Sequence, residues 1–278
     1  MSTQNFSGPV AQLVEQIPFK DKVPGSSPGR PTNEKPFEFI EGFLTPIKNY
    51  VRISVLMKKL LQLLSILQLS KEQPLTGFLV AGIKLNDTET LAEHHYGCLL
   101  IAYFLVAKIK QAGGQLNERQ VILMLLIHDL GELFGGDIAG PLSRKYPDLR
   151  EHKDQIGLRA IEMLSSFMDK NTSEEIKKLF NEMEFGDSDE HYVVKIIDQM
   201  DHQLYIEKTA DNLIYNAQKY DYRRRFVADH IYKLPEKIKD EKTKKVLIDF
   251  LHEFETNHFS QGYQGINFLM SNDESNVQ

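Results

Sequence analysis

From Leu60 onward, apolar residues return at spacings of three and four, the period of helices that bury one face. No stretch alternates in the way a half-buried strand does, and no internal repeat is found. The spacing predicts a first amphipathic helix on Leu60, Leu61, Leu64 and Leu67. A second runs from about Glu89 to Ala112, capped by Asp87 or Thr88 and ended by Gly113 and Gly114. A third follows Asn117, from Glu118 to about Phe134, before Gly135 and Gly136. Beyond a polar loop with Pro141 and Pro147, helices are expected at about 152–168 and 173–183. Another is expected from 187–189 through Ile197 toward Tyr220, with two more at about 222–232 and 235–256. The closing SNDESNVQ reads as a frayed tail. The fold class is all-α, a compact helical bundle.

Residues 1–56 do not share this pattern. Pro9, Pro18, Pro24, Pro28, Pro31 and Pro36 crowd the segment, and no hydrophobic period survives there. VAQLVEQ (10–16) and VPGSSPGRPT (23–32) resemble the in-frame translation of a bacterial or archaeal transfer-RNA gene. The expectation is therefore that 1–56 is a disordered or spurious extension and that translation starts at Met57. A domain then occupies 57–220, with further helices of the same domain at 221–278.

Composition narrows the function classes. At 41% hydrophobic and 26% charged, the chain is an ordinary globular mix, which excludes disorder throughout. Thirty-three basic against 39 acidic residues argue against a nucleic-acid partner, whose phosphates need a basic surface. The single cysteine, Cys98, excludes an intrachain disulfide and a Cys-rich zinc site, and it reads as core. The longest apolar run, Leu99–Ala107, is short of the roughly 20 residues a spanning helix needs. MKKLLQLLSILQLS (57–70) imitates a signal peptide, but Gln62, Ser65 and Gln68 interrupt it and no small-residue cleavage site follows. The expected setting is cytoplasmic, with no membrane segment.

The chemistry concentrates in VILMLLIHDLGELFGGD (121–137). Seven apolar residues lead straight into His128 and Asp129. Burying such a pair carries a desolvation penalty unless something compensates it, and a divalent metal accepts an imidazole nitrogen and a carboxylate oxygen together. Glu132 lies one helical turn on, and Asp137 follows the Gly-Gly break. Further donors stand at His94 and His95, and at Asp198, Asp201 and His202. One ligand from each of those two helices would complete a shell of two imidazoles and two carboxylates, with positions left for water and substrate.

A His, then a His-Asp pair, then a distant Asp resembles the HD-domain metal-dependent phosphohydrolases, and within them the 5'-deoxynucleotidases. LLQLLSIL (60–67), TGF (76–78), AEHHY (92–96), HDLGELFGGDI (128–138) and KIIDQMD (195–201) carry the likeness in order, from Met57 to about Tyr220. The resemblance implies an HD-domain helical bundle with His94, His128, Asp129 and Asp198 as metal ligands. It makes Glu132 the general acid/base, with Asp137 close to the sugar and the attacking water. It also places Phe78, Asp137 and Ile138 against the substrate, Phe78 packing on a deoxyribose. The implied activity is removal of the 5'-phosphate from (deoxy)nucleoside monophosphates with Mn²⁺, Co²⁺ or Mg²⁺, by a homodimer. Two departures stand out. The family's Arg before the aromatic is absent from Leu75–Phe78, and the stretch from Phe78 to His94 is about two residues longer than usual. Phe in place of Trp also implies relaxed sugar selectivity. These departures leave open another phosphoester, such as a cyclic nucleotide or a nucleoside triphosphate, or a non-catalytic metal-containing nucleotide-binding protein.

The remaining candidates read as follows. His95 faces outward or backs a ligand, and Asp201 backs a ligand or is solvated. His152 and His191 are not ligands. His202, His230, His252 and His258 are surface or structural, and Arg223 to Arg225 form a solvated helix face.

Overall fold

The computed structural model describes residues 53–80, 83–135, 137–138, 142, 145–209 and 231–258. The expectations for residues 1–52, Arg223 to Arg225, His230, the helix at 222–230 and the C-terminal tail lie outside these. Among the described residues the architecture is all-α, with one isolated bridge pairing Pro74 and Thr90. The long helices are α1 (Ile53–Lys71), α2 (Leu91–Gln111), α3 (Glu118–Ile127), α4 (Pro147–Ser165), α5 (Lys170–Phe185), α6 (Asp189–Thr209) and α7 (Glu241–Glu253).

Helix α2 starts later than Asp87 or Thr88 would place it. Its cap is Thr90, in a capping box: the Thr90 hydroxyl accepts from Glu93 N, and the Glu93 carboxylate accepts from Thr90 N at 2.7 Å. Thr88 is otherwise engaged, donating to Leu75 O. The helix ends where expected, at Gly113, whose φ of +84° strains any L side chain. Asn117 caps α3 as read, accepting from Gln120 N at 3.1 Å. The cap of α5 is Asp169, so this helix starts before the expected position 173, and the cap of α7 is Asp240.

Helix α3 stops at Ile127 instead of continuing to Phe134. The chain leaves the helix at Asp129 (φ −102°, ψ 10°) and makes a short 3-10 turn, Leu130–Glu132, that packs against α4. Gly131 permits this, because a Cβ there would stand 2.8 Å from Gly157 Cα. The apolar period continues past the helix because Leu130 and Leu133 still pack inward, so periodicity alone did not mark the break.

The main core joins α2, α3, α5, α6 and α7, with Cys98, Ile109, Met124, Leu125, Ile196 and Leu247 fully enclosed. Truncating one of the large aliphatic side chains there to Ala costs about 2–5 kcal/mol. A second cluster holds Leu63, Phe78, Leu91, Leu133, Leu164 and Ile206. The two meet around the end of α3.

Helix α1 differs from its expected orientation. Leu63 is buried, while Leu60, Leu61 and Leu64 are exposed. Apolar residues surround nearly the whole helix, so the period selects no single face. This helix is also long and apolar enough, by length and composition, to cross a membrane, which revises the reading from the longest apolar run. It carries Lys58 and Lys59, and Lys59 donates to Ser166 O at 3.2 Å.

Candidate metal centre

Three elements bring the expected ligands together. Helix α2 supplies His94, the end of α3 supplies His128 and Asp129, and α6 supplies Asp198. The two imidazoles are oriented by hydrogen bonds that settle where their protons lie. His128 Nδ1 donates to Leu125 O at 2.8 Å, and His94 Nδ1 bonds the Asp201 carboxylate at 2.7 Å. Each ring thereby turns an Nε2 lone pair toward the other, 3.1 Å apart. Two facing lone pairs repel unless a cation or a proton lies between them.

The carboxylates close the same space. Asp129 Oδ2 is 3.2 Å from His128 Nε2 and 3.5 Å from His94 Nε2. Asp198 Oδ1 is 3.3 Å from His94 Nε2 and 3.8 Å from His128 Nε2. Ligands about 2.1 Å from a common ion stand about 3.0 Å apart at a right angle and about 3.4 Å apart at the tetrahedral angle. Asp198 Oδ1 is enclosed and accepts no well-formed hydrogen bond, an orphaned oxygen of the kind a cation satisfies. The donor set therefore fits a divalent metal ion.

The electrostatics agree. Burial alone would lower the His94 pKa, but the carboxylates of Asp198 and Asp201 beside its ring nitrogens outweigh it and hold His94 well above its ordinary value. Burial likewise opposes ionisation of Asp129, and the adjacent His128 holds it well below the usual carboxylate range. The pocket attracts positive charge.

Asp201 backs His94, the first of the two roles read for it. The seat for its carboxylate is Gly97, one turn after His94, where any Cβ would overlap the Asp201 oxygens. His95 does not face outward. It is 7% exposed, its ring centre is 4.7 Å from that of His128, and burial followed by the His128 charge lowers its pKa to about 3. His202 is not a surface residue either: its ring stacks on His94 at 4.3 Å with a 3° tilt, and its Nδ1 is 3.5 Å from Asp198 Oδ1. The signal for His202 was its position four residues after Asp198, on the same helical face. His152 and His191 stay outside the centre, bonded to the carbonyls of Asp148 and Glu182. His252 is exposed on α7, and Cys98 is core, with Sγ 3.7 Å from the His94 nitrogens.

A second charged group lies beside the first. Glu132, on the 3-10 turn, meets Lys153 of α4, with Oε1 3.1 Å from Nζ, and the same ammonium contacts Asp137. Burial, then the charge of Asp129, raises the Glu132 pKa well above normal against the opposing pull of Lys153. Lys153 carried no motif in the sequence. Its approach depends on the Gly131–Gly157 contact one turn away along α4. Asp137 is tied to the 76–78 segment through Thr76 Oγ1, 3.5 Å from Asp137 O. Ile138, next to it in the chain, is half-buried. Phe78 is buried at 1% exposure, with its ring edge-on to His202 at 5.3 Å and beside Tyr205 at 4.9 Å.

A family model described as "HD domain" matches residues 71–231, more than half of the chain. The chain belongs to the HD domain family. A bovine protein named 5'-deoxynucleotidase HDDC2 is 28% identical over 154 residues, 55% of this chain and 69% of that protein. A Vibrio cholerae 5'-deoxynucleotidase is 27% identical over 113 residues, 40% of this HD-domain chain and 58% of that one. Among solved structures, the PH0347 protein from Pyrococcus horikoshii OT3 shares the fold, with a TM-score of 0.51 and 23% identity over 69% of this chain and 96% of that chain.

Proposed function

We propose that this HD-domain protein is a metal-dependent phosphohydrolase that removes the 5'-phosphate from (deoxy)nucleoside monophosphates. The observation that carries the reading is the pair of facing His94 and His128 lone pairs, closed by Asp129 and Asp198, beside the half-buried Glu132–Lys153–Asp137 group. The names of the bovine and Vibrio relatives support the substrate class.

His94, His128, Asp129 and Asp198 would hold the ion. Bound there, a divalent metal supplies the positive charge that polarises a phosphoester and eases deprotonation of water. Mixed nitrogen and oxygen donors suit Mn²⁺ or Co²⁺, with Mg²⁺ as the weaker candidate. Glu132 is the general acid/base: burial and the charge of Asp129 raise its pKa, which favours its holding a proton and passing one between water and the leaving oxygen. Lys153 orients Glu132 and Asp137 and supplies a cation near the phosphate, in a chain with no Arg at Leu75–Phe78. Water adds to phosphorus, the phosphorus–O5' bond breaks, and the leaving oxygen takes up a proton. Phe78 shapes the sugar side from beneath His202, with Asp137 and Ile138 next to it. A cytoplasmic homodimer completes the proposal.

The buried Phe78 ring and the missing Arg favour one second reading, an HD hydrolase of another phosphoester such as a cyclic nucleotide or a nucleoside triphosphate. Phosphate release from a panel of deoxy- and ribonucleoside monophosphates, cyclic nucleotides and triphosphates, with Mn²⁺, Co²⁺ or Mg²⁺, decides between them. Release from the 5'-monophosphates that disappears in Asp129→Ala is the expected result. Release only from another ester class overturns the substrate assignment.

A further inference from the structure

Neither the four expected ligands nor the hydrogen bonds around them give a role to His95. Its Nε2 is enclosed within the protein and has no hydrogen-bond partner, although the residue is 93% buried by the complement of its 7% exposure. An enclosed, unpaired ring nitrogen carries an uncompensated desolvation penalty if nothing ever satisfies it. Its ligand atom lies within 4.8 Å of those of His128 and Asp129.

The ring positions are more specific. The centres of His95 and His128 are 4.7 Å apart, those of His94 and His128 are 5.1 Å apart, and those of His94 and His95 are 6.2 Å apart. An imidazole bound through nitrogen at about 2.1 Å has its centre about 3.2 Å from the ion. Two such rings stand about 4.5 Å apart at a right angle, about 5.2 Å apart at the tetrahedral angle, and about 6.4 Å apart on opposite sides. The three separations match one ion with His128 to the side and His94 and His95 toward opposite ends.

The geometry points to His95 as a fifth protein ligand, making the shell three imidazoles and two carboxylates. This rests on the reading of the cluster as a metal centre, and it adds a residue that the HD pattern does not supply. Two consequences follow from the chemistry of the donors. A third imidazole shifts preference toward Co²⁺, Ni²⁺ and Zn²⁺ and away from Mg²⁺. A six-coordinate ion then keeps one position for a substrate oxygen.

Co²⁺ loading of the full chain tests this without any substrate. Affinity is read by competition with a chelator, and coordination by the visible spectrum, for the wild type, His95→Gln and His95→Ala. A tenfold or greater loss of Co²⁺ affinity with an altered spectrum in both variants is expected. Affinity within threefold of wild type and an unchanged spectrum would overturn the assignment. Proton NMR of the Co²⁺-loaded wild type reads the same question if the variants fail to fold: three sets of hyperfine-shifted imidazole ring protons are expected, and two sets sink it. A wild type that takes up no Co²⁺ removes the metal-centre reading and this inference together, whereas uptake with two imidazoles removes this inference alone.

Discussion

Around the end of α3 the chain carries two neighbouring groups of carboxylates, and only one of them holds a cation of its own. Glu132 and Asp137 share the ammonium of Lys153. Asp129 and Asp198 are met by two imidazole nitrogens whose lone pairs point inward, and no Lys or Arg is recorded in contact with them among the described residues. The first group has a counter-ion within the protein. The second takes its positive charge from protons on the imidazoles or from a metal ion. The difference separates two arrangements: one whose donors fit an ion, another in which Lys153 holds two carboxylates in position.

The largest effect should come from breaking the open group. Asp129→Ala removes one of the proposed ligands and leaves the His94–His128 pair short of negative charge. Metal content should fall below stoichiometric, and phosphate release should drop by more than about 10³-fold. A variant that retains both would remove Asp129 from the shell.

Breaking the closed group at its acid should separate chemistry from metal binding. Glu132→Gln should lower kcat by about 10²–10⁴-fold while metal content stays at the wild-type level. It should also change stability in a defined direction. The folded-state pKa of Glu132 is raised, so the wild type has its full contribution from this group below the unfolded value of about 4.3 and loses it as pH rises through the folded value. The Gln variant has no such loss. Its melting temperature in the metal-free form should gain on the wild type as pH rises above about 4.3. A constant difference across that range would show that Glu132 is not held protonated.

Lys153→Met takes the cation from the closed group and leaves Glu132 and Asp137 facing each other. We expect about a tenfold to hundredfold loss in kcat/KM with metal content unchanged, and partial recovery in Lys153→Arg, which keeps the charge. Equal losses in both variants would show that shape rather than charge is what Lys153 contributes.

How much of this was legible in the sequence follows from what each feature depends on. The helical class, the Asn117 cap and the four expected ligands rest on local spacing or on a motif, and the structure brings His94, His128, Asp129 and Asp198 together. Lys153 depends on a glycine-to-glycine approach between two segments 26 positions apart, from Gly131 to Gly157, for which one sequence carries no signal. The end of α3 was misplaced because Leu130 and Leu133 keep the helical period while packing from a different turn. The buried face of α1 was misassigned because a helix apolar on most sides leaves the choice to tertiary contacts. His95 and His202 carry no motif of their own, although each is adjacent, in sequence or along a helix face, to an expected ligand.

The smallest expected effect isolates a third way of balancing a carboxylate, by the backbone. Asp240 caps α7, accepting from Thr243 N at 2.8 Å, from the Thr243 hydroxyl at 2.7 Å and from Gln115 N at 3.1 Å. The Thr243 hydroxyl first, then the backbone donors, lower its pKa. A depressed folded value gives stability that is present above the unfolded pKa of about 3.9 and is lost as pH falls through the folded one. Asp240→Ala should therefore destabilise the protein by about 1 kcal/mol at neutral pH, with the gap to wild type narrowing below about pH 4. Activity and metal content should not change, because Asp240 joins α7 to the α2–α3 connection and touches neither charged group. If this variant also lost metal, the two groups at the end of α3 could no longer be treated as locally balanced, and the contrast between them would have to be traced through the packing of α2.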